Sequence, residues 1–430
     1  MNTKFQFHSG LNTIGGNIAE VRYGDARVLF DFGRAYNPAD TLLSNAQGRE
    51  GRKVADMLRL GMIPKIDGIY SKDDLAQVPD CTLVSAEEWA QKHGENTVVF
   101  ISHLHLDHMG AIDVLAPNIP VYMSTEGAAL YEALVKLGEP PFCKNIKAFD
   151  YEKPLNIGEI TVTGYAIDHD VHGASTILVE TPDTKIAHSG DIRMRGQRQC
   201  LNRNWISAMR EKQVDYLFME GTAFWPPRDD DAVDNKLVQH LEGDVPDVIG
   251  KILNEAEGVV FFNFYHRNLE RMENLRKAAD IARRRIVLEG TTATLAHRFF
   301  PNEKYDVLHE TVTLAQVNQN PKGYFVQNSL PNIFSLLDYI PQGSAYIHTN
   351  GIPLGPFDPA FNSMLAFLKT LGIAFHTVPS AGHGNQEEIL EIIDGIQPKT
   401  LVPWHSPAPG EMKPLNLEQK ILLPELGRWY

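Results

Sequence analysis

The first half of the chain alternates short apolar segments with polar loops. Phe5 to His8, Gly16 to Tyr23 and Arg27 to Asp31 are separated by turns that contain glycine, a pattern typical of paired strands. Thr97 to Ile101 is a β-branched apolar run of the length expected for a buried strand. Further strands are predicted at 121–123, 160–166, 176–180 and 185–188, with a helix over 126–136.

From Asp215 onward the pattern changes to strands that alternate with helices. Helices are predicted over 232–254 and 268–285, and strands over 258–264 and 286–289. Such alternation in units of about 30 residues is typical of a parallel sheet, and the whole chain therefore predicts an α/β fold. Residues 34–96 break the strand rhythm with short helical stretches, and we interpret them as an insertion over one face of the first domain.

Composition and charge restrict the class of protein. The 430 residues are 43% hydrophobic, and 40 basic against 54 acidic side chains give a net charge of −14. No apolar run approaches the roughly 18 residues of a membrane span, and the first residues show no signal peptide. Cys81, Cys143 and Cys200 are far apart, as expected for thiols of a reducing cytoplasm.

The segment HLHLDH carries the most specific chemical signal. His103, His105, Asp107 and His108 place four metal-competent side chains within six residues, directly after a predicted buried strand. Neutral imidazoles and carboxylates are the ligands of Zn²⁺ and similar ions. Alternate residues at a strand end point to one side, so His103 and His105 can share one ion while the next two address a second.

Three more predicted strands are each followed by a loop that contains histidine or aspartate. These are the segments Asp168 to His172, His188 to Asp191, and Val402 to His405. Each is weak evidence alone, but together they predict that all ligands lie at one sheet edge.

The order of these motifs resembles that of the metallo-β-lactamase fold, with Asp31 in the first motif and HLHLDH in the second. The resemblance implies an αββα sandwich of two sheets between helices. It implies one Zn²⁺ held by His103, His105 and His169, a second held by Asp107, His108 and His405, and Asp191 as the bridge. Mn²⁺ suits the same ligands. Asp31 would orient a ligand histidine, and Asp107 could also pass a proton to the leaving group.

The chain between the fourth motif and His405 resembles the inserted domain of the β-CASP nucleases, the group of ribonuclease J and the cleavage-and-polyadenylation endonuclease. The expected boundaries are 1–220 and 379–430 for the metallo-β-lactamase domain and 221–378 for the insertion. Glu220 matches the acidic motif A, and His383 matches the histidine of motif C that accompanies RNA substrates. The extra C-terminal domain of ribonuclease J is not expected here.

The resemblance predicts a metal-dependent ribonuclease that acts on single-stranded RNA with a metal-activated hydroxide. Motif B is ambiguous: it is His266, Glu270 or absent. The stretch 193–203 holds four arginines and no acid, and 266–285 holds seven basic against three acidic residues, so a local basic lining can coexist with the net negative charge. The candidate RNA and phosphate contacts are Ser380, Gly382, His383, Gly384, Arg193, Arg195, His266 and Arg267.

Other functions remain open on the sequence alone. The same fold could hydrolyse a small ester, a lactone or a cyclic phosphodiester if residues 34–96 covered the site, or it could cleave DNA. A non-catalytic RNA-binding member would lack the intact ligand set seen here. A homodimer is compatible with the sequence.

Overall fold

The computed structural model describes residues 1–34, 49–226, 239–416 and 419–430. Its strands are β1 (Lys4–Ser9), β2 (Ile18–Tyr23), β3 (Ala26–Phe30), β4 (Thr97–Phe100), β5 (Val121–Ser124), β6 (Ile146–Phe149), β7 (Leu155–Ile157), β8 (Ile160–Ala166), β9 (Ser175–Glu180), β10 (Lys185–His188), β11 (Tyr216–Glu220), β12 (Val260–Phe264), β13 (Arg285–Leu288), β14 (Asp306–Val307), β15 (Tyr324–Gln327), β16 (Ala345–Thr349), β17 (Ala374–Thr377), β18 (Thr400–Trp404) and β19 (Lys420–Ile421). Its α-helices are α1 (Lys53–Arg59), α2 (Lys72–Leu75), α3 (Ala86–His93), α4 (Leu106–Met109), α5 (Thr125–Lys136), α6 (Gln199–Lys212), α7 (Val245–Glu255), α8 (Leu269–Ile281), α9 (Gly290–Phe299), α10 (Leu314–Gln319), α11 (Pro359–Leu371) and α12 (Gln386–Ile396).

The chain divides into two units. The first comprises Met1–Met194, Arg198–Asp229 and His383–Tyr430, and the second comprises Arg195–Gln197 and Asp230–Gly382. In the described parts of the chain, no helix is both long and apolar enough to cross a membrane.

The first unit contains two sheets. One has the order β1-β2-β3-β4-β5-β6, antiparallel up to β3 and parallel from there on. The other has the order β19-β18-β11-β10-β9-β8-β7, antiparallel from β7 to β10 and parallel beyond. Strand β3 is buried along its whole length, which explains why its residues are apolar except for the buried Arg27.

The core of this unit lies between the two sheets. Phe30 and Phe100 of the first sheet belong to the same buried cluster as Ile177, Phe218 and Trp404 of the second. A second cluster joins the outer face of the second sheet to helices α6 and α12, while α5 contacts β5 and β6 on the first sheet. The predicted sandwich of two sheets between helices is therefore confirmed.

The second unit is built on a separate sheet. Its order is β14-β13-β15-β12-β16-β17, and every pairing is parallel. The apolar face of α11 packs on this sheet through Phe361, Met364 and Leu368. The alternation of strand and helix in the sequence thus led correctly to a parallel α/β sheet.

Two predicted helices have different bounds in the structure. The helix predicted over 232–254 begins at Val245, after a short 3₁₀ turn, and Pro246 in its first turn explains this start; residues 227–238 lie outside the described ranges. The helix predicted over 268–285 ends at Ile281, and Arg285 already belongs to β13. Arg283 has a φ of 54°, which ends the helical path.

A close backbone approach holds the HLHLDH turn against the end of β3. Phe32 donates a backbone hydrogen bond to the carbonyl of His108 at 2.8 Å, and Gly33 lies directly against the backbone of Asp107. A Cβ atom at position 33 would lie 1.6 Å from the Asp107 carbonyl oxygen. Glycine is therefore required for this turn to lie against the first sheet.

We expect Gly33→Ala to lower the free energy of unfolding of the metal-free protein by about 1–3 kcal/mol, because the added methyl group forces two backbone segments apart. Urea unfolding measures the loss. Gly290→Ala is the matched control, since a Cβ there meets nothing within 4 Å. Equal stability of the two variants would contradict the assigned packing.

Candidate metal centre

The candidate ligands lie where strands of the first unit end. β4 leads into His103 and His105, and α4 then carries Asp107 and His108 in a single turn. The loops after β8, β10 and β18 supply His169, Asp191 and His405. Asp31 and His405, directly after β3 and β18, have left-handed φ values of 58° and 50°, a strained backbone geometry that occurs at functional sites.

The first ligand group consists of His103, His105, His169 and Asp191, whose ligand atoms all lie within 4.8 Å of one another. Nε2 of His103 and Nε2 of His169 lie 3.1 and 3.2 Å from Nδ1 of His105. Asp191 Oδ2 lies 3.6 Å from Nε2 of His103. Three imidazoles and a carboxylate therefore converge on one point.

The second group consists of Asp107, His108, His405 and again Asp191. Nε2 of His108 lies 3.1 Å from Asp191 Oδ2, and Nδ1 of His405 lies 2.8 Å from Asp191 Oδ1. Asp107 Oδ2 lies 3.4 Å from Nε2 of His405. Asp191 is common to both groups, as a bridging ligand would be.

Burial sets the protonation state of the first group. It lowers the pKa of His169 to about 3 and that of His103 well below its usual range. Burial alone would raise the pKa of Asp191, but His108, His405 and His383 hold it well below the usual range of a carboxyl group. Neutral imidazoles beside an ionised carboxylate are the forms that bind a metal ion.

The donor atoms fit divalent metal ions by a second criterion. Asp191 Oδ2 and His405 Nε2 are buried, and although His108 and Asp107 lie 3.1 and 3.4 Å away, neither atom forms a hydrogen bond of good geometry among the described residues. Buried polar atoms are normally hydrogen-bonded, and exceptions need an explanation such as an ion. A His and Asp donor set of this kind suits Zn²⁺ and Mn²⁺ alike.

Asp31 lies behind the second group. Its carboxylate is 2.8 Å from Nδ1 of His108 and 3.0 Å from Nε2 of His188, and it accepts a hydrogen bond from the Ser102 backbone N–H at 2.7 Å. Burial would raise the pKa of Asp31, but the two histidines lower it to about 2. Asp31 therefore orients His108 with Nε2 toward Asp191.

Glu220 and His383 form a pair beside both groups. Nδ1 of His383 lies 3.1 Å from Glu220 Oε1 and 3.8 Å from Asp191 Oδ2. Burial would lower the pKa of His383, but Glu220 and Asp191 raise it to about 10. These carboxylates therefore favour the protonated imidazole in the metal-free protein, and the His383 side chain remains 27% exposed.

Three of the expected substrate contacts have a different role in the structure. Arg193 is fully buried and its Nε donates to Asp168 at 2.8 Å, so it cannot contact a substrate. The N–H of Gly384 donates to the Ile192 carbonyl at 2.7 Å and is not available to a phosphate. Ser380 is buried, and its N–H donates to Asn350. Side-chain burial and backbone pairing, which one sequence does not reveal, explain these corrections.

The other expected contacts belong to the second unit. Arg195 and His266 are partly exposed, Arg267 is buried with its guanidinium 5.9 Å from the ring of Tyr265, and Gly382 is partly exposed. Glu270, the other motif B candidate, accepts a hydrogen bond from the Gln197 backbone. The RNA contacts of this unit stay predictions.

Asp168 and Asp170 lie in a segment that the sequence singled out, but neither was assigned a role at the site. Asp168 Oδ2 also accepts the Arg198 N–H at 2.7 Å and thereby fixes the loop after Asp191. Asp170 Oδ1 lies 3.3 Å from Nε2 of His169 and 3.5 Å from Nε2 of His105. The sequence signal that could have identified both is an aspartate on each side of the ligand His169.

Comparison with known proteins shows what the chain is similar to. The family model described as the metallo-beta-lactamase superfamily matches residues 95–249. Ribonuclease J of Sinorhizobium meliloti is 24% identical over 84% of this chain and 65% of its own length, and that of Thermus thermophilus is 21% identical over 94% and 68%. The chain thus spans about two thirds of these relatives. A crystal structure of a protein of unknown function from Enterococcus faecalis V583 is 25% identical, covers both chains fully and has a TM-score of 0.83.

We expect Arg193→Ala to lower the free energy of unfolding by about 3–5 kcal/mol, because it leaves the buried Asp168 carboxylate without its cation. Arg203→Ala, an exposed position on α6, is the control and should be near neutral. Urea unfolding compares the two. A nearly unchanged free energy of unfolding in Arg193→Ala would show that Arg193 does not form the buried ion pair with Asp168.

We also expect divalent metal ions to stabilise the protein. A metal concentration of 100 times Kd should raise the free energy of unfolding by about 2.7 kcal/mol, measured by thermal unfolding with and without chelator. Asp191→Ala should remove most of this gain because it takes one ligand from both groups. His297→Ala, an exposed histidine on α9, should retain it, and loss of the gain in this control would argue against the assigned site.

Proposed function

We propose that this chain, which carries a metallo-β-lactamase domain and resembles the β-CASP nuclease ribonuclease J over most of its length, is a two-metal hydrolase that cleaves phosphodiester bonds in RNA. The observation that carries the proposal is the pair of ligand groups that share Asp191, with His383 beside them. One metal would occupy each group. The proposed ions are Zn²⁺, with Mn²⁺ suited to the same donors.

Divalent ions held by these groups would activate a water molecule and neutralise charge on the phosphate. The residues of the chain account for the remaining requirements. Asp31 fixes the ring of His108, and Ser102 Oγ lies 3.0 Å from Nδ1 of His103. Ligand rings that are oriented in this way need no rearrangement during the reaction.

His383 is the proposed contact to the reacting phosphate. Its Nδ1 pairs with Glu220, which leaves the other ring nitrogen to donate to a phosphate oxygen or to the leaving group. Glu220 is itself held by the Thr222 backbone N–H at 2.9 Å. A preorganised cation near the developing charge is an effective way to stabilise a transition state.

Asp107 is proposed as a ligand of the second group. Burial alone would raise its pKa, but His108 and His405 hold the pKa of this carboxyl well below the usual range of aspartate. An ionised Asp107 would first have to accept a proton, for example from the attacking water, before it could pass one to a leaving group. His383 is a second candidate for the proton donor, and the proton transfer expected of Asp107 stays a prediction.

The substrate class rests on similarity. Several relatives are named ribonuclease J, which favours RNA over DNA and over small esters or lactones. The segment expected to cover the site includes residues 35–48, which lie outside the described ranges. Cys81, Cys143 and Cys200 are free thiols, in keeping with the proposed cytoplasmic location; the homodimer stays a prediction.

The test uses the full chain and 5′-labelled single-stranded RNA. We expect cleavage that chelator abolishes and added Zn²⁺ or Mn²⁺ restores, and we expect His103→Ala to reduce the rate at least about 100-fold. His297→Ala should cleave at the wild-type rate. The products are resolved on a denaturing gel.

A single-stranded DNA of the same sequence and a chromogenic phosphodiester are run in parallel. Cleavage of the small ester without RNA cleavage would overturn the assignment in favour of a small-molecule hydrolase. RNA cleavage of equal rate in His103→Ala and wild type would identify a contaminating nuclease and contradict the proposal.

A further inference from the structure

Two ligand imidazoles in the centre share a common arrangement. The nitrogen Nε2 of His103 and of His108 faces the other ligands, and the second ring nitrogen meets an oxygen atom. For His103 that oxygen is Ser102 Oγ at 3.0 Å, and for His108 it is Asp31 Oδ2 at 2.8 Å. An oxygen on the second nitrogen fixes the tautomer and the ring orientation of a metal ligand.

His105 is turned the other way. Its Nδ1 lies 3.1 Å from Nε2 of His103 and 3.2 Å from Nε2 of His169, so Nδ1 is the nitrogen that faces the metal position. A neutral imidazole with Nδ1 free for a metal carries its proton on Nε2. The group that meets Nε2 therefore decides how His105 is held.

Asp170 lies next to Nε2 of His105. Its Oδ1 lies 3.5 Å from Nε2 of His105 and 3.3 Å from Nε2 of His169, and this buried oxygen forms no hydrogen bond with either in the described ranges. The separation from His105 is slightly longer than a formed hydrogen bond. The two side chains are 20% and 14% exposed, so a small rotation at this rim of the site can close the distance.

We infer that Asp170 is a positioning residue of the first ligand group. Its carboxylate accepts the Nε2–H of His105, holds Nδ1 toward His103 and His169, and makes His105 a stronger ligand, as Asp31 does for His108. The inference rests on the two-metal site of the proposed function but not on RNA as the substrate. Asp170 thus gives the first group a second nearby carboxylate in addition to Asp191.

The test measures metal affinity and not cleavage. Full-length protein carrying His405→Ala, which removes a ligand of the second group alone, is titrated with Zn²⁺ against a chromogenic chelator. In this background we expect Asp170→Asn to weaken Zn²⁺ binding by about 10- to 100-fold. Asp150→Asn, an exposed aspartate paired with Lys153, is the matched control and should leave the affinity unchanged.

A double-mutant cycle distinguishes positioning from direct ligation. If Asp170 acts through His105, Asp170→Asn should change the affinity by less than about threefold once His105→Ala is present. An equal loss with and without His105 would make Asp170 a direct ligand and overturn the inference, as would an unchanged affinity in the Asp170→Asn protein.

The thermal unfolding of the metal-free variants completes the experiment. An equal midpoint for metal-free Asp170→Asn and its parent shows that the loss concerns metal binding and not folding. A lower midpoint together with an unchanged Zn²⁺ affinity would assign Asp170 a structural role and overturn the inference. Because no substrate is used, the metal-binding result can be interpreted even if the protein does not cleave RNA.

Discussion

The candidate metal centre of the first unit depends on one buried carboxylate. Asp191 is 1% exposed, and imidazoles of His103, His108, His383 and His405 lie within 4 Å of its oxygens. An ionised carboxylate in such a place is costly unless positive charge surrounds it. The strands that bring these histidines to one edge must therefore meet two requirements. They must place the imidazoles around the Asp191 carboxylate, and they must allow the two sheets to pack.

Much of the fold and of this site could be predicted from the sequence, for a local reason. The ligand segment HLHLDH and the β3, β4, β8, β10 and β18 strands are contiguous, and a period-2 or continuous apolar pattern is sufficient to place their ends. The pairing of strands then brings those ends together at one edge. The parallel sheet of the second unit was likewise predictable, because strand and helix patterns alternate along its sequence.

The rest could not be predicted because it depends on partners distant in sequence. Arg193 follows Asp191 in an arginine-rich stretch, but Asp168, 25 residues earlier, buries it in an ion pair. Which nitrogen of His105 faces the metal position, and hence what Asp170 does, follows only from the three-dimensional placement of His103 and His169. The helix bounds near Val245 and Ile281 depend on a proline and on one left-handed residue.

The basic stretch over 266–285 shows how little net charge says about a surface. Arg271 is buried and binds Glu242 through two hydrogen bonds of 2.8 and 2.7 Å. Arg284 is also buried, and its guanidinium donates to the carbonyls of Leu253 and Gly258 at 2.7 Å. These two cations hold the second unit together and contribute little to the field that a nucleic acid would meet.

The position of His405 has a consequence for how the protein matures. The second ligand group joins Asp107 and His108 to a residue that the ribosome adds about 300 positions later. A nascent chain cannot complete the first group until Asp191 has emerged, and it cannot complete the second until β18 has emerged and paired with β11. The second group can therefore form only after the chain on both sides of residues 230–382 has been made.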